Sequence, residues 1–283
     1  MESLDERVKS LEVPSRICPN YTGIETARTY HRTLAAFVNN EFPLLNHVNP
    51  GSETRHIVEL GCGTGLFTRA LYDQIGLPIY AFDHSPDMLA VAKEENDIRN
   101  IHFCLMDFDR DMDKVFDDDT VDYIISNCAL FTSSDKDKLI KTCSRKLRKG
   151  SSLAFSIPPM GPSDLFESYL QLLSIKRYNG KPEVVGIQEA EANLEEANSL
   201  TREVCESFKQ SGRRHFSNFK HTTKRIKLNE ERLIYYLSAL VMRSRNRDFE
   251  FRQTLSRELY NKTLEAGIEP SFSQNLDIFV MEK

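Results

Sequence analysis

The stretch Glu59-Leu60-Gly61-Cys62-Gly63-Thr64-Gly65 sets three alternate glycines directly behind an acidic residue. A glycine-rich turn between a strand and a helix lets a ligand approach the backbone closely and exposes amide N–H groups at the helix start. The spacing is G-x-G-x-G. Leu66 occupies the place of the last glycine in the dinucleotide pattern G-x-G-x-x-G. Glu59, two residues before the first glycine, stands where a cationic group can be met. Asp83 ends the next apolar run, and a carboxylate there can accept both hydrogen bonds of a ribose diol. That feature alone separates no nucleoside cofactor from another. Asp107 ends a third run and suits an adenine amino group, and Ser126-Asn127 end a fourth. Gly65 serves either helix–strand packing or ligand contact.

Positioning these groups takes a sheet whose strand ends converge on one crevice. From Ile57 to Ile157 the apolar runs HIVEL, PIYAF, IHFCLM, VDYIIS and SLAFSI alternate with helical patterns. Short runs rich in Val, Ile and Phe are those of strands buried on both faces, and their alternation with helices predicts a parallel, doubly wound α/β sheet. An amphipathic pattern at 24–40 and a Pro/Asn/Gly-rich loop at 43–52 precede this block. After it, Pro158, Pro159, Gly161 and Pro162 break the chain, and Ser163 can cap a helix carrying Leu165, Phe166 and Tyr169. The acidic stretch GIQEAEANLEEAN reads as mobile. Leu200, Val204 and Phe208 then space a helix that should stop at Gly212 as its C′ residue. Residues 213–227 supply a sixth strand, a long helical stretch runs from Asn229 to about Ala266, and SFSQNLDIFVMEK forms a terminal strand. The expected organisation is an N-terminal helical cap at 1–54 and a main domain at 55–283. Helical insertions at about 160–212 and 229–266 would form its lid.

In VELGCGTG, AFDHSPDML, LMDFD and VDYIISNCALF the chain resembles the four linked motifs of class I S-adenosylmethionine-dependent methyltransferases, in order and spacing, over about residues 55–157. The resemblance implies a Rossmann-like, mostly parallel seven-stranded sheet with a helical lid, and S-adenosyl-L-methionine as cofactor. It implies that Glu59, Gly61, Cys62 and Gly63 meet the methionine part and that Asp83, with His84 beside it, holds the ribose. Met88 would lie against the adenine, unless it is simply core on its apolar helix face. Asp107 and Phe108 would meet the adenine edge, and Asn127 would lie near the methionine end.

Composition narrows the acceptor. A formal net charge of −5 argues against a nucleic-acid footprint, which needs clustered positive surface. No apolar run is long enough to span a bilayer, and the charged N-terminus MESLDERVKSLEVPSR lacks a secretory core. Cys18, Cys62, Cys104, Cys128, Cys143 and Cys205 form no C-x-x-C pair and read as reduced thiols of a cytoplasmic protein. Asp109, Asp111 and Asp113 read as a solvated loop, and no metal site is expected.

The fourth strand ends in SNCA, without the [DN]-P-P-[YFW] signature of amino-group methylation on bases, so a small-molecule acceptor is expected. The segment LNEERLIYYLSALVMRSRNRDFEF resembles the lid of small-molecule carboxyl methyltransferases of the trans-aconitate and malonyl-carrier-protein type. Arg243, Arg245 or Arg247 could pair with an acid there, or face solvent. His215, His221, Tyr235 and Tyr236 are further pocket candidates, although a solvent-facing strand position explains the two histidines equally well. Tyr21, also a pocket candidate, and Tyr30 stand where related enzymes place a helix closing over the cofactor, unless Tyr30 packs in the core.

Overall fold

The structure, a computed structural model, describes residues 23–38, 42–162, 168–169, 172, 186–227, 249–268 and 273–283. The helix α1 (Ile24–Val38) and a 3-10 turn (Pro43–His47) lead into β1 (Ile57–Leu60). There follow α2 (Leu66–Ile75), β2 (Ile79–Asp83), α3 (Pro86–Glu95), β3 (Ile101–Leu105), the short α4 (Met112–Val115) and β4 (Val121–Asn127). A 3-10 turn (Leu130–Thr132), α5 (Lys136–Lys146) and β5 (Leu147–Ile157) complete the first half. The second half holds α6 (Ile187–His215), β6 (Asn218–Lys227), α7 (Phe249–Glu265) and β7 (Ser273–Glu282).

The seven strands form one sheet in the order β3-β2-β1-β4-β5-β7-β6. The first five run parallel, and β7 is antiparallel to both its neighbours. This is the expected doubly wound, mostly parallel architecture. All four residues of β1 are buried, as a strand with helices on both faces requires. Chain order switches at β1, so β1 and β4 carry successive connections to opposite faces and a crevice opens at their C-terminal ends.

Three expectations about the second half need correction. The acidic stretch from Gly186 is the start of α6, a single helix of 29 residues. The buried face of this helix runs through Ala190, Ala197, Cys205, Phe208, Ser211 and Gly212, while Leu200 is 46% exposed. Gly212 lies inside the helix and not behind it. A Cβ there would stand 2.8 Å from Met281 and 3.0 Å from Phe219, so the glycine lets α6 lie close on β6 and β7. The third correction is that residues 213–215 are helical, and β6 starts only at Asn218. Most of the helix expected from Ser163, and the segment 228–248, lie outside the described residues.

Candidate functional site: a glycine-loop crevice

β1 ends at Leu60 and the chain turns over the end of β2, where the N–H groups of Gly61 and Cys62 both donate to the Phe82 carbonyl (2.7 and 2.9 Å). Gly61, Gly63 and Gly65 all have positive φ, at 74°, 55° and 81°, a region that L side chains rarely adopt. Their surroundings differ. A Cβ on Gly61 would collide with the Ala129 side chain, and one on Gly65 would sit 2.8 Å from Asn96 and 3.0 Å from the Phe103 ring. A Cβ on Gly63 would meet nothing within 4 Å. Gly61 and Gly65 therefore serve packing, whereas Gly63 borders open space.

Asp83, 8% exposed, holds this loop. Its Oδ2 accepts from the Gly63 N–H (2.8 Å), and its Oδ1 accepts from the Ser85 N–H (2.9 Å). Burial raises its pKa above the usual carboxylate range, while those two N–H groups and His84, whose Nδ1 lies 3.6 Å away, oppose the rise. Ser85 in turn caps α3 by accepting from the Met88 N–H (3.3 Å), with Pro86 in the first turn.

Glu59 is the electrostatic anomaly of the crevice. It is 1% exposed, and its Oε2 has no hydrogen-bond partner. Burial pushes its pKa up to about 8, with the Thr68 hydroxyl opposing and the Asp83 charge adding. A buried carboxyl without a partner is costly unless a cation or donor meets it.

The other expected groups divide. Asp107 follows β3 and already holds Arg110 (3.0 Å) through Oδ2 and the Asp109 N–H (3.0 Å) through Oδ1. Phe108 packs partly buried against the core beneath the loop. Asn127 accepts from the Ser156 hydroxyl (2.8 Å) across the β4–β5 pair. Met88 is buried with Ala27 and Val91, with Tyr30 packed against them, so its side chain joins α1 to α3. The acids after β3 are not merely solvated: Asp109 accepts from the hydroxyls of Ser133 (2.6 Å) and Ser134 (3.1 Å), tying that loop to the one behind β4. Asp111 is 5% exposed and pairs with Lys114 (2.7 Å).

Among the residues that could act on an acceptor, Tyr21, Tyr235, Tyr236, Arg243, Arg245 and Arg247 lie outside the described residues. His215 is not brought to the crevice. It closes α6 just before β6, whose first residue, Asn218, pairs with Glu282 and through it with Ser152, well before the C-terminal end of β5. There it pairs with Asp137 of α5 (3.2 Å). Burial pushes Cys62 far above an ordinary thiol and Cys128 to about 11, which leaves neither as a thiolate nucleophile.

Two features were not singled out in the sequence. His31 on α1 meets the Thr64 backbone of the glycine loop, and burial lowers its pKa. A cleft of about 160 Å³ also opens beside the end of β5, lined by Pro159, Asn198, Arg202, Thr223, Asn275 and Asp277. Asp277 pairs with Ile157, and Ser156 pairs with Asn127, so this cleft shares its sheet edge with the crevice.

Residues 52–160 match the family described as a methyltransferase domain. The segment carrying the glycine loop is a class I methyltransferase domain. Over 129 residues the chain is 30% identical to malonyl-[acyl-carrier protein] O-methyltransferase 2 of Coxiella burnetii, covering 44% of this chain and 51% of that protein. Over 118 residues it is 34% identical to trans-aconitate 2-methyltransferase of Mycolicibacterium gilvum, covering 41% and 43%. The chain thus spans about half the length of these relatives or less. The methyltransferase fold extends further than the sequence match. Haemonchus contortus phosphoethanolamine N-methyltransferase 2, solved with S-adenosyl-L-methionine, superposes with a TM-score of 0.56 at 16% identity, covering all of this chain and 60% of that one. The YcgJ protein of Bacillus subtilis superposes at 0.51 and 13% identity, covering 89% and 98%. No described helix is long and apolar enough to cross a membrane.

Proposed function

We propose that this chain is an S-adenosylmethionine-dependent methyltransferase whose acceptor is a small carboxylic acid. The observation that carries the cofactor reading is the pairing of a buried carboxyl that has one orphaned oxygen with an open glycine. Glu59 Oε2 lacks a partner, and the space a Gly63 side chain would fill is free. A ligand bearing an ammonium group and a nucleoside fits that pair of features. The ammonium answers Glu59, the ligand lies along Gly63, and the lone pairs left on Asp83 can accept from a ribose diol.

When bound, the cofactor would supply a methyl group on a sulfonium, which already carries its leaving group. The chain's own residues then orient, neutralise and exclude water. Asp83 fixes the loop, Glu59 sets the charge balance, and Asn127, held by Ser156, marks the end of the crevice nearest the acceptor side. The helical cap at 1–54 and the lid drawn from 160–212 and 229–266 would close over them.

On the acceptor side, Arg202 is an exposed guanidinium in the cleft with no ion-pair partner among the described residues. A carboxylate needs charge neutralisation and alignment but no deprotonation, so Arg202 meets its requirement without a general base. The buried Asp277 would repel an acid, but its Oδ1 is engaged by His221 and by the Thr223 hydroxyl (both 2.7 Å). The two relatives named as malonyl-carrier-protein and trans-aconitate methyltransferases support the same acceptor class. The test is methylation of a metabolite pool with isotope-labelled cofactor, products being identified by mass. A labelled product cleaved by mild alkali is the expected methyl ester. An alkali-stable product would replace the acid by an amine, phenol or carbon acceptor.

A further inference from the structure

The sheet edge beyond β5 gathers a second set of reactive groups. Side chains alternate along a strand, so Phe219, His221 and Thr223 share one face of β6, and their β7 partners are Met281, Phe279 and Asp277. Helix α6 covers this face with Phe208 and Cys205. The lower part is an aromatic layer, in which Phe279 stacks on Phe155 (4.8 Å) and on the His221 ring (4.6 Å). One step towards the cleft the layer turns polar. Cys205, His221 and Asp277 bring a thiol, an imidazole and a carboxylate together, one ligand atom of each within 4.8 Å of the others.

We propose that Cys205, His221 and Asp277 form a binding site for a divalent transition-metal cation of the zinc type, with the remaining coordination position turned to the cleft. The donor set chooses the metal. A thiolate and an imidazole favour zinc, cobalt or nickel over magnesium or calcium, which prefer oxygen ligands throughout. Cys205 and Asp277 are 5% and 7% exposed and would bring two negative charges to a dication. Metal–ligand distances of about 2.0–2.3 Å in a tetrahedral site put ligand atoms roughly 3.3–3.8 Å apart. The His221 Nε2 and Asp277 Oδ1 atoms, now 2.7 Å apart, would need to separate by less than about 1 Å, which a side-chain torsion supplies.

Supporting contacts are in place. The Thr223 hydroxyl donates to Asp277 (2.7 Å), and stacking on Phe279 holds the His221 ring, the kind of second layer that orients metal ligands. Asp277 and Thr223 also line the cleft, which gives both an entry path and room for a water or ligand oxygen on the ion. Binding would exchange the Cys205 S–H bond for an S–metal bond and release that proton to solvent. A trio joined only by hydrogen bonds is the competing account, and metal loading separates the two. The proposal does not depend on methyl transfer.

The full chain, stripped of metal, would be dialysed against zinc and assayed for retained ion. In parallel it would be titrated with cobalt. One zinc per chain and a thiolate-to-cobalt charge-transfer band are expected. Cys205→Ser should abolish the band, and His221→Gln should weaken zinc retention at least tenfold. Absence of the band in the wild-type chain would overturn the proposal whether or not the variants fold. Undiminished zinc retention in folded Cys205→Ser would overturn it as well.

Discussion

The two polar regions on the C-terminal edge of the sheet are built in opposite ways. The glycine-loop crevice is made by contiguous chain: β1, its turn and the start of α2, closed by the end of β2 only a short distance further along. Its chemistry is largely backbone, and its side chains mainly hold that backbone in place. The cleft beside β5 is made by residues from α6, β6 and β7, which meet only because β7 inserts antiparallel between β5 and β6. Its chemistry is in the side chains. On the proposed reading, a cofactor common to many enzymes would be held by local geometry, while the part that selects an acceptor would be assembled from distant segments.

The largest expected effect tests whether the crevice is electrostatically incomplete without its ligand. A Glu59 pKa raised to about 8 means that the folded chain holds a proton the unfolded chain releases near the ordinary carboxyl value. Stability tied to this group is therefore full below about pH 4.5 and is lost as pH rises towards 8, by linkage on the order of 5 kcal/mol. Urea midpoints of the ligand-free chain should fall across that window. Glu59→Gln should flatten the fall and stabilise the chain near pH 8, while weakening binding of S-adenosylhomocysteine. An unchanged pH profile in the variant would remove Glu59 from this role.

Next comes the division of labour among the glycines. Gly65→Ala adds a Cβ against Phe103 and Asn96 at a left-handed φ, so it should cost about 2–4 kcal/mol of stability. Thermal unfolding measures this. A loss below about 1 kcal/mol would show that the contact relaxes freely.

Asp83→Ala removes a charge-assisted clamp on the Gly63 and Ser85 N–H groups and, on the proposed reading, a ribose acceptor. Loss of about 1.5–3 kcal/mol corresponds to roughly ten- to a hundredfold weaker cofactor binding. Calorimetry showing less than a twofold change would place the ribose elsewhere.

The smallest of these effects belongs to the cleft. Arg202→Ala should raise the acceptor KM about tenfold and leave kcat within about twofold, since an exposed guanidinium contributes to uniform binding. A fall in kcat with KM unchanged would assign Arg202 to the transition state instead.

This contrast also explains what could be read in advance. The sheet, its direction and the crevice were legible because apolar runs, glycine spacing and strand-end acids are local signals. Asp83 was legible as an acid at a strand end, but its hydrogen bond to the Gly63 N–H was not, because a turn's amide direction leaves no mark in residue types. Gly212 was misread because a glycine that ends a helix and one that admits a neighbouring sheet look alike until Met281 and Phe219 are in place. The mobile reading of the stretch from Gly186 failed because its acidic residues sit on the exposed face of a helix whose buried stripe is small, carried by Ala190 and Ala197. Arg202 and Asp277 carry no local signal at all: one is a charge on a helix, the other an acid in a strand.

The most direct test of the central claim is calorimetric titration of S-adenosylhomocysteine into the wild-type chain and into Gly63→Val. Gly63 borders open space, where an added Cβ meets nothing within 4 Å, so a branched side chain there would reach into the ligand's proposed place, although its φ of 55° carries a strain of about 1–2 kcal/mol. One-to-one binding by the wild type and none by Gly63→Val are expected, with the two circular dichroism spectra superimposable. Equal affinity in a folded Gly63→Val, or a wild-type chain that binds NAD in preference to S-adenosylhomocysteine, would contradict the central claim.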